Sequence, residues 1–507
     1  MTAHNFIEKV LTARVYDVAI ETPLDYLPAL SVRLKNNILL KREDLQPVHS
    51  FKLRGAYNKI YKLKQKNPEL QGVITASAGN HAQGVAISAT HLKIEATIVM
   101  PVITPDIKVE AVKSFGGKVI LHGDNFDEAY AHSQVLAAEK NLTFIHPYDD
   151  EDVMAGQGTI AHEIIKQQPD TIDAIFVPVG GGGLLAGILN FMKAVRPEVK
   201  IIGVEPEDAA CLDIALKAKR RVTLKEVGIF AEGVAVKQIG KNTYAMIKDL
   251  VDEVITVSTD QICAAIKDTY ENTRAICEPA GAVGLAGLKK YVETNNITGQ
   301  TLLSINSGAN MNFDRLRHIS ERSEFGEQRE AIIAVQIPER PGSFKQFCGI
   351  IGKRNITEFN YRYSDDKLAM VFAGLQLNKG IEEKDKIVEQ LRNKNYPVYD
   401  MTDNELAKLH IRYMVGGHAR TTLETERLIR FQFPEKPGAL LNFLKQVGTR
   451  WNISMFHYRN HGSAFGRVLM GIQVDKPDIK EFKDFLATLE YPHWDESDNE
   501  AYQLFLK

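Results

Sequence analysis

Up to about residue 312, short apolar runs alternate with longer amphipathic stretches. Residues 72–76, 96–101, 118–121 and 174–179 are almost continuously apolar, which predicts strands buried on both faces of a parallel sheet. Between two of them, residues 125–140 place Phe126, Ala129, Tyr130 and Ser133 at three- and four-residue steps, the spacing of one helix face. Strands and helices in alternation predict a doubly wound α/β fold. Ligands in such folds sit beyond the carboxyl ends of the strands, so the loops after residues 76 and 179 are where chemistry is expected.

From about residue 330 the pattern becomes a repeat. Ile333-Ala334-Val335-Gln336-Ile337-Pro338-Glu339-Arg340-Pro341-Gly342 returns as Ile429-Arg430-Phe431-Gln432-Phe433-Pro434-Glu435-Lys436-Pro437-Gly438. Further on, Asn355-Ile356-Thr357-Glu358-Phe359-Asn360-Tyr361-Arg362 returns as Asn452-Ile453-Ser454-Met455-Phe456-His457-Tyr458-Arg459, with one residue gained between the matches. Each copy reads as strand, Pro-Gly turn, helix and two strands, the last at 368–377 or 467–474; a second helix follows at 382–394 or 479–489. That order, βαββα with room for a closing strand, is the ferredoxin-like split βαβ unit. The connector between the copies contains Gly416-Gly417.

Composition changes this picture by exclusion. At about 150 residues per domain, 507 residues make roughly three units, placed at 1–322, 330–403 and 426–500. Lys+Arg 62 against Asp+Glu 64 leaves no basic field to attract nucleic acid or anionic lipid. No apolar run approaches a membrane span. Cys211, Cys263, Cys277 and Cys348 form no CxxC pair and the histidines lack ligand spacing, so neither disulfides nor a metal site is expected. The first nine residues carry no basic region followed by an apolar core, which predicts a cytoplasmic protein unless a transit peptide has been removed.

Four segments carry candidate chemistry. Ser50-Phe51-Lys52-Leu53-Arg54-Gly55-Ala56 puts a lysine at the start of a helix, and Ser77-Ala78-Gly79-Asn80-His81-Ala82-Gln83-Gly84 follows a strand. The others are Gly180-Gly181-Gly182-Gly183-Leu184 and Ser307-Gly308-Ala309-Asn310. Without Cβ atoms, the glycine run can close its N–H groups around an anion at a helix N-terminus; tight turns or close packing would use the same residues. It lacks the Lys-Ser/Thr ending of a P-loop and the GxGxxG spacing, which favours a small phosphorylated cofactor over a nucleotide. An anchoring lysine combined with a phosphate cradle points to pyridoxal 5'-phosphate, whose aldehyde requires an amine and whose phosphate requires backbone donors.

With Ser320-Glu321-Arg322 and Gly326-Glu327-Gln328-Arg329-Glu330, these segments resemble the fold-type II, tryptophan-synthase-β-like pyridoxal phosphate enzymes, and more narrowly the threonine dehydratases. The C-terminal repeats resemble the paired ACT-like modules of the long biosynthetic form. The resemblance implies a fold-type II catalytic domain of two open parallel-sheet subdomains, followed by two tandem ferredoxin-like α+β modules. It implies that Lys52 holds the cofactor and takes the substrate α-proton, and that Gly180, Gly181, Gly182, Gly183 and Leu184 hold the phosphate. Asn80 would bond the pyridine 3-oxygen and Ser307 would face the ring nitrogen, although both are also ordinary turn residues. Ser77, Ala78, Gly79, Asn80 and His81 would hold the substrate carboxylate, and Phe51 would pack against the cofactor or into the core. Glu278-Pro279-Ala280-Gly281-Ala282 and Phe230-Ala231-Glu232-Gly233-Val234 resemble further family loops, but a helix start and a solvated carboxylate explain them as well, and they stay outside the expected site.

The implied activity converts L-threonine to 2-oxobutanoate and ammonia, with L-serine as a second substrate, as the committed step of isoleucine biosynthesis. The implied controllers are isoleucine as inhibitor and valine opposing it, near the Pro341-Gly342 and Pro437-Gly438 turns beside Tyr361 and Tyr458, in a homotetramer. The alternatives are another type II dehydratase or racemase and, from a different class, a non-catalytic amino-acid sensor.

Overall fold

The alternating strands of the first part of the chain form two sheets. The computed structural model describes residues 3–352, 354–363, 367–414, 425–434, 439–447, 450–459, 465–489, 491–499, 502 and 506. One sheet runs in the order Leu24–Tyr26, Asn37–Arg42, Thr301–Asn306, Ala174–Pro178, Lys200–Pro206, Glu253–Val257, antiparallel at its first pair and parallel thereafter. The other is parallel throughout, in the order Lys118–Leu121, Glu95–Met100, Gly72–Ala76, Thr143–Phe144. Both lie in the compact unit Met1–Ser323.

Three of the four apolar runs are covered on both faces, but the expectation fails for Lys118–Leu121, which lies at the edge of its sheet with Lys118 and Leu121 exposed and Val119 and Ile120 half-buried. Along Ala174–Pro178 every residue is buried: Ile175 and Val177 join Leu185 and Leu303 on one face, Ala174 and Phe176 join Val283 and Leu302 on the other. Each such large side chain contributes about 1.5–3 kcal/mol by leaving water. The helix expected at 125–140 spans Phe126–Glu139, because the Asn125 side chain accepts the Glu128 N–H and starts it.

Among its described residues, the unit Glu324–Lys507 holds one antiparallel sheet of eight strands with helices packed against it. Its order is Val398–Asp400, Glu330–Pro338, Leu368–Gln376, Ile356–Arg362, Asn452–Arg459, Phe465–Gln473, Glu426–Pro434, His493–Asp495. Each copy thus has the closing strand for which the sequence left room. The copies meet at Ile356–Arg362 and Asn452–Arg459. They share an irregularity: pairing slips between Ile356 and Glu358, and again between Ile453 and Met455. The skipped residues, Thr357 and Ser454, both donate a hydroxyl to the buried glutamate that opens their module, Glu330 and Glu426. The Pro341-Gly342 turn is present, with Gly342 at φ +90° ahead of the Ser343–Ile351 helix. Pro437-Gly438 and the Gly416-Gly417 connector lie outside the described residues.

The Lys52–Lys66 helix is anchored by charge as well as by packing. Arg54 is fully buried and donates to Glu43 at 2.7 and 2.8 Å and to Glu163 at 2.5 and 3.0 Å. Lys41 adds a 2.6 Å bond to Glu163, and the Tyr16 hydroxyl one of 2.8 Å. Burial opposes ionisation of Glu163, but Arg54 and Lys41 outweigh it and hold the carboxyl below its usual range. Arg54→Met strands two buried carboxylates, so it should destabilise this unit by about 3–5 kcal/mol. Urea unfolding followed by circular dichroism measures the loss, and an unmoved transition would contradict it.

Candidate active site

Hydrogen bonds and close packing bring all four motif segments together. Ser50 bridges Gly308 across an antiparallel pair, and the Phe51 N–H donates to the Ser307 carbonyl at 3.3 Å. Gly84, on the Asn80–His91 helix, lies so near the lysine helix that a Cβ there would stand 3.2 Å from the Leu53 nitrogen. Asn310 Nδ2 donates to Asn80 Oδ1 at 2.6 Å, joining the serine loop to the asparagine loop. Lys52 Nζ donates to the Pro147 carbonyl at 3.0 Å and lies 5.3 Å from the centre of the Phe51 ring. The next residue, Tyr148, packs its ring on Gly181, where a Cβ would stand 2.3 Å from it.

Burial sets the charges. It pushes the Lys52 amine down to about 8, with the Glu278 charge pulling the other way. It pushes His81 down to about 3, Lys52 adding to the effect, so that ring is neutral near pH 7. His81 Nε2 lies 3.0 Å from the Ile145 carbonyl, an acceptor, and therefore carries the proton. Burial also raises the Glu278 carboxyl to about 7, against the pull of its hydrogen bond with Asn80.

The glycine turn has the donors that a phosphate needs. Gly182 is left-handed at φ +89° and opens the Gly183–Val195 helix. The first bond inside that helix runs from the Ala186 N–H to the Gly182 carbonyl, so the N–H groups of Gly183, Leu184 and Leu185 have no acceptor within the helix. The Gly181 carbonyl points away and is held by the Thr243 hydroxyl at 2.8 Å. Close packing, the other use open to these glycines, operates at two of them: Gly181 is bare because Tyr148 covers it, and Gly180 because Val234 Cα would be 2.9 Å from its Cβ. A half-buried amine with a lowered pKa and a turn whose N–H groups have no acceptor within the helix fit pyridoxal phosphate.

Other expected residues have more local duties. Ser77 accepts the Gly79 N–H, Ala78 packs against the core of the four-stranded sheet, and Gly79 has open space where a side chain would be. The Leu184 side chain is core. The His81 ring is spent on Ile145, and the buried Ser307 hydroxyl makes a weak 3.3 Å bond to the Ala280 carbonyl. Glu232 is more than a solvated carboxylate: it pairs with Lys108 at 2.6 Å and with Arg315, beside a cleft that Glu278 and Asn310 also line. Sequence reasoning passed over Pro147 and Tyr148, gave Asn310 no role within its motif, and set Glu278 aside as a helix start. The start is real, since Pro279–Asn295 begins there, but the Glu278 side chain makes no capping bond.

Residues 15–308 match the family model of pyridoxal-phosphate dependent enzymes, and residues 321–411 and 417–506 match the C-terminal regulatory domain of threonine dehydratase. The chain is 53% identical, over all of both chains, to the biosynthetic L-threonine dehydratase IlvA of Burkholderia multivorans. It is 52% identical to that of Escherichia coli, covering 99% of this chain and 97% of the other. Among solved structures, the processed form of threonine deaminase isoform 2 from Solanum lycopersicum aligns with a TM-score of 0.62 and 48% identity, over 63% of this chain and 93% of that one. Maize serine racemase aligns with a TM-score of 0.58 and 32% identity, over 62% and 95%. Fold and site together define a fold-type II pyridoxal-phosphate-dependent enzyme with a regulatory unit. Within that class, the chain belongs to the biosynthetic L-threonine dehydratase family. No helix among the described residues is long and apolar enough to cross a membrane.

Covalent capture of the cofactor aldehyde requires a neutral amine. With Lys52 near 8, the neutral fraction is about one tenth at pH 7 and falls roughly tenfold per pH unit below that. Capture by cofactor-free protein, followed by visible absorption, should therefore speed up with pH and level off above about 8. A rate independent of pH between 6 and 8 would show that the amine is not held as described.

Proposed function

We propose that this chain dehydrates and deaminates L-threonine to 2-oxobutanoate and ammonia, and L-serine to pyruvate by the same route. What carries the reading is Lys52, a half-buried and easily neutralised amine where four loops meet, in a chain matched end to end by threonine dehydratases. Bound pyridoxal phosphate supplies an aldehyde for amines and a ring that accepts electrons from the α-carbon. Lys52, with the Pro147 carbonyl fixing its direction, takes the α-proton, and holding base and substrate together lowers the barrier by roughly 7–11 kcal/mol. The N–H groups of the Gly180–Leu184 turn hold the phosphate, and the Phe51 ring lies along the cofactor. Residues 77–81 offer backbone donors to the substrate carboxylate, with Gly79 leaving room for it. Asn80 donates to the ring 3-oxygen. Ser307 faces the ring nitrogen with a hydroxyl in place of a carboxylate, which keeps the ring a weak electron sink and favours prompt loss of the β-hydroxyl.

In this reading the catalytic part spans 1–322 and the modules 330–403 and 426–500, in a cytoplasmic homotetramer. The enzyme commits threonine to isoleucine synthesis, with isoleucine inhibiting at the modules and valine opposing it. The Tyr361 hydroxyl donates to Glu339, and Asn452 of the other module donates to the second Glu339 oxygen at 3.1 Å. That carboxylate ties the modules together beside the Pro341-Gly342 turn, where an amino acid can exchange into the contacts. A coupling of about 1–3 kcal/mol is enough for control.

Purified full-length protein with pyridoxal phosphate should form 2-oxobutanoate from threonine, and Lys52→Ala should lower kcat by about 10³-fold or more. Absence of product would overturn the assignment, and racemised threonine would move the chain to the racemases. Tyr361→Phe should weaken isoleucine binding by about tenfold in calorimetry, the loss of one charge-assisted bond. Unchanged affinity would remove the effector from this corner.

A further inference from the structure

The Asn80 carboxamide has two donor hydrogens on Nδ2 and an acceptor at Oδ1. Its neighbours leave it one orientation. Asn310 Nδ2 donates to the Val48 carbonyl at 2.8 Å, and a carbonyl can only accept, so the nitrogen of Asn310 is identified; the same nitrogen donates to Asn80 Oδ1 at 2.6 Å. On the other side, Asn80 Nδ2 donates to Glu278 Oε1 at 2.7 Å. Turning the carboxamide over would set nitrogen against nitrogen and oxygen against carboxylate. With the oxygen occupied and one hydrogen given to Glu278, a single Nδ2–H remains for a ligand.

Glu278 is built into this place. Its backbone N–H donates to the Gly308 carbonyl at 3.1 Å, and its side chain lies close over Gly308, where a Cβ would stand 2.6 Å from Glu278 Oε1 and 3.0 Å from the His49 carbonyl oxygen. The residue is 7% exposed and opens the Pro279–Asn295 helix without capping it. A helix start with proline at its first position requires no buried carboxyl, and burying one opposes its charge. The carboxyl is turned to Asn80 instead.

We propose that Glu278 is a positioning residue of the cofactor site: it holds the Asn80 carboxamide so that the remaining Nδ2–H meets the ring 3-oxygen of bound pyridoxal phosphate. This rests on the role proposed above for Asn80. Two readouts besides turnover test it on the full-length chain: the dissociation constant of pyridoxal phosphate for cofactor-free protein, and the visible absorption maximum of the bound cofactor.

Asn80→Ala should weaken binding about tenfold or more and move the maximum. Glu278→Ala should move the maximum in the same direction, and in an Asn80→Ala background it should cost nothing further, because the two act as one unit. Glu278→Gln, whose amide oxygen can accept from Asn80, should stay within about threefold of the parent affinity. If Glu278→Ala leaves both readouts unmoved while Asn80→Ala shifts them, the proposal falls and the Asn80 assignment stands. If the losses multiply in the double variant, Glu278 acts separately and the proposal falls. If Asn80→Ala changes nothing, the assignment falls and takes the proposal with it. Should Glu278→Ala not fold, Glu278→Asp, which draws the carboxylate back by one methylene, carries the same expected movement of the maximum, and an unmoved maximum there overturns the proposal.

Discussion

Arg54, shut away from water between Glu43 and Glu163, fixes the direction in which Lys52 points. Two residues along a helix are separated by roughly 200° of rotation, so a side chain drawn into the interior at one position turns the other toward the opposite side. The ionic cluster pulls Arg54 inward, and Lys52 is thereby turned to the Pro147 carbonyl. Glu43 comes from the turn after the Asn37–Arg42 strand and Glu163 from the Glu151–Gln167 helix, so three elements are registered against one guanidinium. Buried pairs of this kind add little net stability over apolar packing, and their use lies in allowing a single arrangement. The planar fork of arginine, satisfied on all its edges, suits that use better than a lysine's rotatable ammonium.

What was legible in the chain was whatever depends on near neighbours in sequence. The strand at 72–76 came out with its expected limits, since burial on both faces writes itself as an unbroken apolar run; the strand at 118–121 kept its limits too, but as an edge strand whose Lys118 and Leu121 are exposed. The two-residue strand Thr143–Phe144 is too short for any periodicity to register, yet it delivers Pro147 and Tyr148 to the site. Glu278 sits before a proline, and a local reading stops at the helix start. The partner that gives its carboxyl a role, Asn80, is distant in sequence and close only in the folded chain. The glycine run was visible, but bareness looks the same whether it admits an anion or a neighbouring ring, and at Gly181 it admits Tyr148.

Duplication left its mark at a finer grain than the repeat of strands and helices. A slipped pairing with a hydroxyl on a buried glutamate is present in both modules, through different hydroxyl residues, Thr357 and Ser454. The sequence match had already aligned the two positions, but their common bond requires strands brought together from separate parts of each module.

The three-residue closing strands have a consequence at the ends of the sheet. Val398–Asp400 and His493–Asp495 are its outermost members, and each pairs with three residues of a nine-residue neighbour. An exposed margin of backbone donors and acceptors is a template for another chain, and natural proteins blunt it by making the last strand very short. Both margins here are blunted in that way, while the long strands Ile356–Arg362 and Asn452–Arg459 are consumed against each other at the centre. Doubling the module therefore yields a self-terminating sheet, in which each half uses up the surface on which the other could otherwise have polymerised.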